Sequence, residues 1–512
     1  MPTSEIVLTL IHGRSELRLP KLADNSIDLL TTDPPYGISF LGRDWDTFNE
    51  VVSPRGAYEH KKGFKKLPRQ STKSMAEFFV PIWRECMRVM KPGAFAFVMC
   101  APRQDVLAKQ ICCLQEAGFE TGFSSLYWSF ASGFPKAMNV SKGIDKKMGL
   151  KREVVGTKLG RAGYSLASEK APGGYSGMRY DSEAECAITA PACPQSQALE
   201  GSYAGFQPKP AVEVVLVAMK PLTEDTYVEQ ALANRKGVTW LEDGRIPFAS
   251  RADQEQAHDN ALGPVGRYKT VHPVYEGGKK SAGFADTHDP KGRFPANLLV
   301  SDDALNDGIL RKSGYMREGI VRKTRTGYSG MMPKSTIGTC YGDSGSFSRH
   351  FSLDAWWDKR IGALRENVRN TIPFLVTRKP STAEKDEGCE NLYWKVVGGE
   401  AIGVEEWNTL GAEEDRLEKE TGQRPSLRDR GDIHPTVKPA SLFSYLITIG
   451  SRRGDLVLDP FVGSGTTMLA SVLMSRSCIG VEDDPRYIRV AKARLNWGQG
   501  LGVKYEYLED EQ

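Results

Sequence analysis

Thr31-Thr32-Asp33-Pro34-Pro35-Tyr36-Gly37 places an acid, two prolines and an aromatic ring directly after the apolar run Ile27-Asp28-Leu29-Leu30. The run reads as a buried strand. Two consecutive prolines cannot donate to a sheet ladder, so the strand must stop at Asp33. The Asp33 carboxylate, the Pro34 and Pro35 carbonyls and the Tyr36 ring are then left projecting at its tip, where open parallel sheets bind ligands. Taken alone, the stretch also fits a polar turn.

A second stretch bears on that choice. Asp455-Leu456-Val457-Leu458-Asp459-Pro460-Phe461-Val462-Gly463-Ser464-Gly465-Thr466-Thr467 reads as a strand, a tight turn and a helix that runs through Leu473. Glycines at 463 and 465 let the backbone turn sharply and approach a ligand, while the helix start presents free N–H groups. Glu482 ends the next short strand, Cys478-Ile479-Gly480-Val481, about twenty residues on, the place for an acid that meets ribose hydroxyls. No Gly-Lys-Ser/Thr follows, which excludes a P-loop, and the third glycine of a dinucleotide fingerprint is missing. The ligand that fits is a nucleoside without a pyrophosphate, S-adenosylmethionine. The plainer alternative is that Gly463 only makes a turn and Glu482 only caps the last helix region.

The elements that must position these residues alternate. Strands are expected at 5–11, up to Asp33, at 94–99, 124–130 and 212–219, with helices at Met75–Met90, ended by Lys91-Pro92-Gly93, and at about Asp105–Ala117. The last 80 or so residues repeat the pattern, with helices at Leu442–Ile449 and about Pro485–Leu495 around the Gly-rich turn. This predicts a layered α/β domain with a mainly parallel sheet. Residues 1–150 form its first part and 431–512 its last. Residues 151–210, rich in Gly, Ser, Ala and Pro, read as an insertion, 211–221 as a strand returning to the sheet, and 222–430 as a polar, irregular excursion. Two basic stretches with aromatics among them, 60–69 and 311–328, are either solvated loops or phosphate-contacting surfaces.

Composition sets wider bounds. At 512 residues the chain exceeds one simple core, and 26% charged with 40% hydrophobic residues argues against wholesale disorder. A net charge of +4 does not itself identify a nucleic-acid partner. The 9 cysteines show no C-x-x-C pair or zinc-ligand spacing, no metal site is suggested, and reduced thiols fit a cytoplasmic location. There is no signal-peptide pattern at the N-terminus and no long apolar span, so no membrane association is expected.

Asp33-Pro34-Pro35-Tyr36 paired with Asp459-Pro460-Phe461-Val462-Gly463-Ser464-Gly465 resembles the amino-methyltransferases of DNA, the N6-adenine and N4-cytosine enzymes of phage and bacteria. The order of the motifs, tetrapeptide first and Gly-rich loop last, is similar to their beta group. His434-Pro435-Thr436-Val437-Lys438-Pro439 resembles the element that holds the methionine end of the cofactor, and Gly292-Arg293-Phe294-Pro295-Ala296-Asn297 is similar to a stretch of phage and bacterial members. The resemblance implies a Rossmann-like mixed sheet with helices on both faces, circularly permuted motif order and an inserted target-recognition region at 222–430. It implies Asp33, Pro34, Pro35 and Tyr36 as catalytic. It places Thr436, Lys438, Asp459, Phe461, Gly463, Ser464, Gly465, Thr466 and Glu482 at S-adenosylmethionine. Double-stranded DNA is the implied partner, with a flipped base as target, and a homodimer or a restriction endonuclease partner would be compatible.

Asp at position 33 favours adenine N6, because the cytosine enzymes of the family more often carry Ser there. The alternatives are N4-cytosine methylation and, from a different class, a DNA-binding relative without catalysis. One residue departs from the pattern. The family often has Gly-Asp after the first strand, its acid meeting the cofactor adenine, whereas Gly13 is followed here by Arg14. Either another residue makes that contact or cofactor affinity is reduced.

Overall fold

A computed structural model of the chain describes residues 5–37, 72–130, 137–161, 183–206, 210–251, 291–306, 344–363, 401–421, 437–496 and 503–508, with the short pieces 208, 253–254, 311–312, 389, 392–395 and 427–430. The basic stretch 60–69, all of 311–328 beyond Arg311 and Lys312, and Thr436 lie outside the described residues.

Among the described residues, nine strands form the main sheet. In chain order they are β1 (Val7–His12), β2 (Ile27–Thr32), β3 (Met90–Cys100), β4 (Leu126–Ser129), β5 (Val212–Met219), β6 (Leu298–Val300), β7 (Leu456–Asp459), β8 (Ser477–Glu482) and β9 (Lys504–Leu508). Across the sheet the order is β9-β1-β8-β7-β2-β3-β5-β4-β6. Every neighbouring pair is parallel except the two made by β5, which runs antiparallel to β3 and β4. The fold is thus α/β with a mixed sheet. The strand that carries Asp33 and the strand that carries the Gly-rich turn, from opposite ends of the chain, pair side by side at its centre.

Burial explains that placement. All six residues of β2 are buried, as a central strand covered on both faces requires. Its period of two sends Leu29 to one core, with Phe95, Phe97 and Phe443, and Leu30 to the other, with Phe79, Trp83 and Val98. Helices α1 (Thr72–Val89) and α2 (Gln104–Glu116) supply the second core. The first is built from α3 (Leu353–Gly362), α4 (Ala440–Gly450), α5 (Thr466–Leu473) and α6 (Pro485–Asn496). Every residue of α4 and α5 is buried, the condition of helices that are apolar nearly all round. Asp28 clamps the lower part of the sheet by accepting from Lys91 (2.6 Å) and from the Leu456 N–H (2.9 Å).

Two expectations need correction. Helix α1 stops at Val89, and Lys91-Pro92-Gly93 lies inside β3 instead of after a helix, because Met90 pairs with Ile27 before the ladder is interrupted and resumes at Phe95. Residues 222–430 are not wholly an excursion. Strand β6 pairs with β4, and Trp356 and Trp357 of α3 pack in the first core, the Trp356 ring 4.9 Å from Tyr445. A three-residue strand shows no periodicity, and two tryptophans among charged residues disguise a buried helix face. Residues 151–210 include a β-hairpin pairing Val154–Arg161 with Glu183–Thr189. No helix among the described residues is long and apolar enough to cross a membrane.

Candidate active site

The four adjacent parallel strands β1, β8, β7 and β2 end on the same edge of the sheet, which brings His12-Gly13, Glu482, Asp459 and Asp33 into one row. The chain leaves β7 through α5 toward β8 on one side and leaves β2 through α1 toward β3 on the other. The crevice between β7 and β2 is therefore a topological switch point, where such sheets bind ligands.

The Gly-rich turn is held from three directions. Asp459, 2% exposed, accepts the Thr32 hydroxyl at 2.6 Å, the Thr467 hydroxyl at 2.5 Å and the Phe461 N–H at 3.0 Å. Burial nevertheless pushes its carboxyl up to about 6. From below, Arg494 Nη1 donates to the Ser464 carbonyl and hydroxyl, both at 2.8 Å, and to the Thr466 hydroxyl at 3.1 Å. Gly465 opens α5 with φ +85°, and a Cβ there would stand 3.3 Å from that of Ala491. Glu482 accepts the Gly463 N–H (2.9 Å) and the Asp484 N–H (2.8 Å), and burial pushes its carboxyl up to about 7. Phe461 is half-buried, edge-on to Trp83 at 5.9 Å and to Phe79 at 6.1 Å.

At the tip of β2, Asp33 accepts the Tyr36 hydroxyl at 2.7 Å on one oxygen and the Lys438 ammonium at 2.5 Å on the other. Lys438 also stands 3.5 Å from Glu213, at the start of β5, and 5.6 Å from the centroid of the Tyr36 ring. Burial works against the Lys438 charge, but Asp33 and Glu213 more than compensate and raise its pKa. Burial, with the charges of Asp33 and Glu213, holds Tyr36 well above the ordinary phenol range, so it stays a neutral donor.

The structure thus gathers Asp33, Pro34, Pro35, Tyr36, Lys438, Asp459, Phe461, Gly463, Ser464, Gly465, Thr466 and Glu482 along one sheet edge, while Thr436 lies outside the described residues. Three of these residues make contacts that the sequence did not indicate. The Lys438 ammonium meets Asp33 instead of standing apart with the cofactor loop. The Asp459 carboxylate is spent on shaping the turn, so it positions the loop and presents no free edge to a ligand. Tyr36 uses its hydroxyl on Asp33 in addition to offering a ring. Arg14 turns outward, 60% exposed, and pairs with Glu16, while the Gly13 N–H bonds the Glu482 carbonyl at 2.9 Å.

Sequence reasoning missed Arg494, Glu213 and Ser15, whose hydroxyl donates to the Pro460 carbonyl. Of these, Glu213 carried the clearer signal. Glu213 is a single charge on an otherwise apolar strand, among Val212, Val214 and Val215, whereas Arg494 shares its helix with Arg486, Arg489 and Lys492 and is marked only by its buried neighbours Val490, Ala491 and Leu495.

Comparison with known proteins bears on the part of the site that contains the Gly-rich turn and Glu482. A DNA methylase family model, of the N6/N4 type, matches residues 354–493. The chain is 40% identical over 70 residues to the type II methyltransferase M2.LlaDCHI of Lactococcus lactis subsp. cremoris, 14% of this chain and 26% of that protein. It is 48% identical over 63 residues to M.HpaI of Haemophilus parainfluenzae, 12% of this chain and 20% of that one. The matches therefore span about a quarter or less of these curated relatives. Among solved structures, the Thermus thermophilus protein TTHA0409 complexed with S-adenosyl-L-methionine aligns over 99% of both chains at 12% identity and a TM-score of 0.34, too loose a likeness to carry any argument. Over these stretches the chain is similar to DNA methylases of the N6-adenine/N4-cytosine type.

Proposed function

We propose that the protein is an S-adenosylmethionine-dependent DNA methyltransferase acting on the exocyclic amino group of a base, with adenine N6 as the target. The observation that carries the reading is the adjacency of Asp33 and the Gly463–Gly465 turn at neighbouring strand tips across the switch point. Glu482, Phe461 and the backbone from Gly463 to Thr466 are the residues that would hold the cofactor. The half-buried carboxylate, aromatic ring and glycine turn suit ribose, adenine and close approach in that order. Held there, S-adenosylmethionine would supply a sulfonium methyl to the nitrogen lone pair, its sulfur leaving as the thioether and the nitrogen giving a proton to water.

The rest is done by the chain. An exocyclic amine is a poor nucleophile because its lone pair is delocalised into the ring. Asp33 and the Pro34 carbonyl each accept one N–H, which draws the nitrogen toward tetrahedral geometry and stabilises positive charge that grows only in the transition state. Pro35 stiffens the turn, and the Tyr36 ring receives a base rotated out of the duplex, since the amino group is out of reach inside the helix. Asp33 is in this account an acceptor that shapes an amine, with double-stranded DNA as substrate. Likeness to type II methyltransferases extends the reading to a restriction–modification context.

The test is incubation with labelled S-adenosylmethionine and unmethylated DNA, followed by nucleoside mass spectrometry. N6-methyladenine is the expected product. N4-methylcytosine would overturn the choice of base, and no methylated nucleoside would overturn the function.

A further inference from the structure

Lys438 lies between two carboxylates, 2.5 Å from Asp33 and 3.5 Å from Glu213, with its side chain only 9% exposed. Tyr36 and Cys100 border the same acids and stay neutral, the Cys100 thiol pushed up to about 12 by burial and by Asp33 and Glu213. The cluster formed by Asp33, Glu213 and Lys438 therefore sets two acids around one ammonium. An isolated Asp33–Lys438 pair would be neutral, and a carboxylate oxygen committed to an ammonium is a poor acceptor for an amino group that is becoming cationic. The second acid changes this. It comes from β5, which among the described strands of the main sheet is the one antiparallel to its neighbours, and for that reason its first residues reach the edge where the other strands end.

We propose that Glu213 is a positioning residue for methyl transfer: it holds the Lys438 ammonium when a substrate amino group takes over the Asp33 oxygen. Lys438 need move only between two oxygens it already approaches, so releasing Asp33 does not strand a buried cation. The inference rests on the methyltransferase reading and adds a residue that reaches the reaction only through Lys438.

The test is single-turnover methyl transfer to unmethylated duplex DNA by the wild type, Glu213→Gln and Glu213→Asp, with cofactor and DNA dissociation constants measured in parallel. In Glu213→Gln the rate constant should fall roughly 10- to 100-fold while both dissociation constants stay within about threefold. Glu213→Asp should recover most of the rate. An unchanged rate in Glu213→Gln overturns the proposal, as does a loss shared equally by both variants with lower melting temperature and weaker binding. A wild type that methylates no DNA sinks the methyltransferase reading and this inference together. An active wild type beside a fully active Glu213→Gln removes this inference alone.

Discussion

The Thr32 hydroxyl donates to the Asp459 carboxylate at 2.6 Å, joining residues 427 positions apart in the chain. That bond ties the strand carrying the acceptor tetrapeptide to the strand carrying the Gly-rich turn, so the spacing of the two halves of the site is set inside the core and not by loops. Asp459→Ala would leave the Thr32 and Thr467 hydroxyls and the Phe461 N–H unpaired in a buried place, at about 1–3 kcal/mol each before relaxation. The expected result is a clearly lower melting temperature together with weakened cofactor binding. A variant as stable as the wild type would show that the turn holds its shape without this carboxylate.

Arg494 makes a narrower prediction. Its three bonds go to Ser464 and Thr466 of the turn, and the side chain is buried. Arg494→Met keeps the apolar stem against α5 and removes the donors, so cofactor affinity should drop roughly tenfold while the rate at saturating cofactor changes little. Loss of rate with affinity intact would place Arg494 in a different role.

These two residues mark where reading the sequence succeeded and where it stopped. The tetrapeptide and the Gly-rich turn were legible because proline and glycine act locally: two prolines end a strand wherever they stand, and Gly465 at positive φ opens a helix. The alternation of periods also gave the α/β class. What local rules could not give was pairing. Nothing in Val212-Glu213-Val214 says that the strand runs antiparallel and delivers its acid to Lys438, and nothing in Leu298–Val300 says that it closes the sheet. Lys438 was singled out in the sequence, but its partner was not, because an ion pair between distant positions leaves no trace in spacing.

Glu482 links the site to pH. Burial raises its carboxyl to about 7 from an ordinary 4.5, so the native fold takes up a proton that the unfolded chain has already released. Its contribution to stability is therefore fully present below about pH 4.5 and is lost as pH rises through about 7. Cofactor binding should run the other way, because in the proposed site ribose hydroxyls would donate to the ionised carboxylate. Affinity is expected to weaken approaching tenfold per unit as pH falls below about 7, and Glu482→Gln should flatten that dependence. Calorimetric titration between pH 6 and 8 checks it, and a flat wild-type profile would remove Glu482 from the ribose.

Asp33 carries the strongest prediction for chemistry. Asp33→Ala removes the acceptor for the substrate amine and should cut single-turnover methyl transfer by at least about 100-fold, since the lost bond is one that strengthens as charge develops. Cofactor affinity should survive, because Asp33 lies on β2 and the turn is fixed through Asp459, Arg494 and Glu482. Asp33→Asn keeps one acceptor oxygen in the same place but no negative charge, and the amide offers Lys438 a weaker partner than the carboxylate. Its rate should fall between those of the wild type and the alanine variant. Alanine and asparagine variants as active as the wild type would show that the nitrogen needs no side-chain acceptor at position 33, and would leave the Pro34 carbonyl alone to shape the amine.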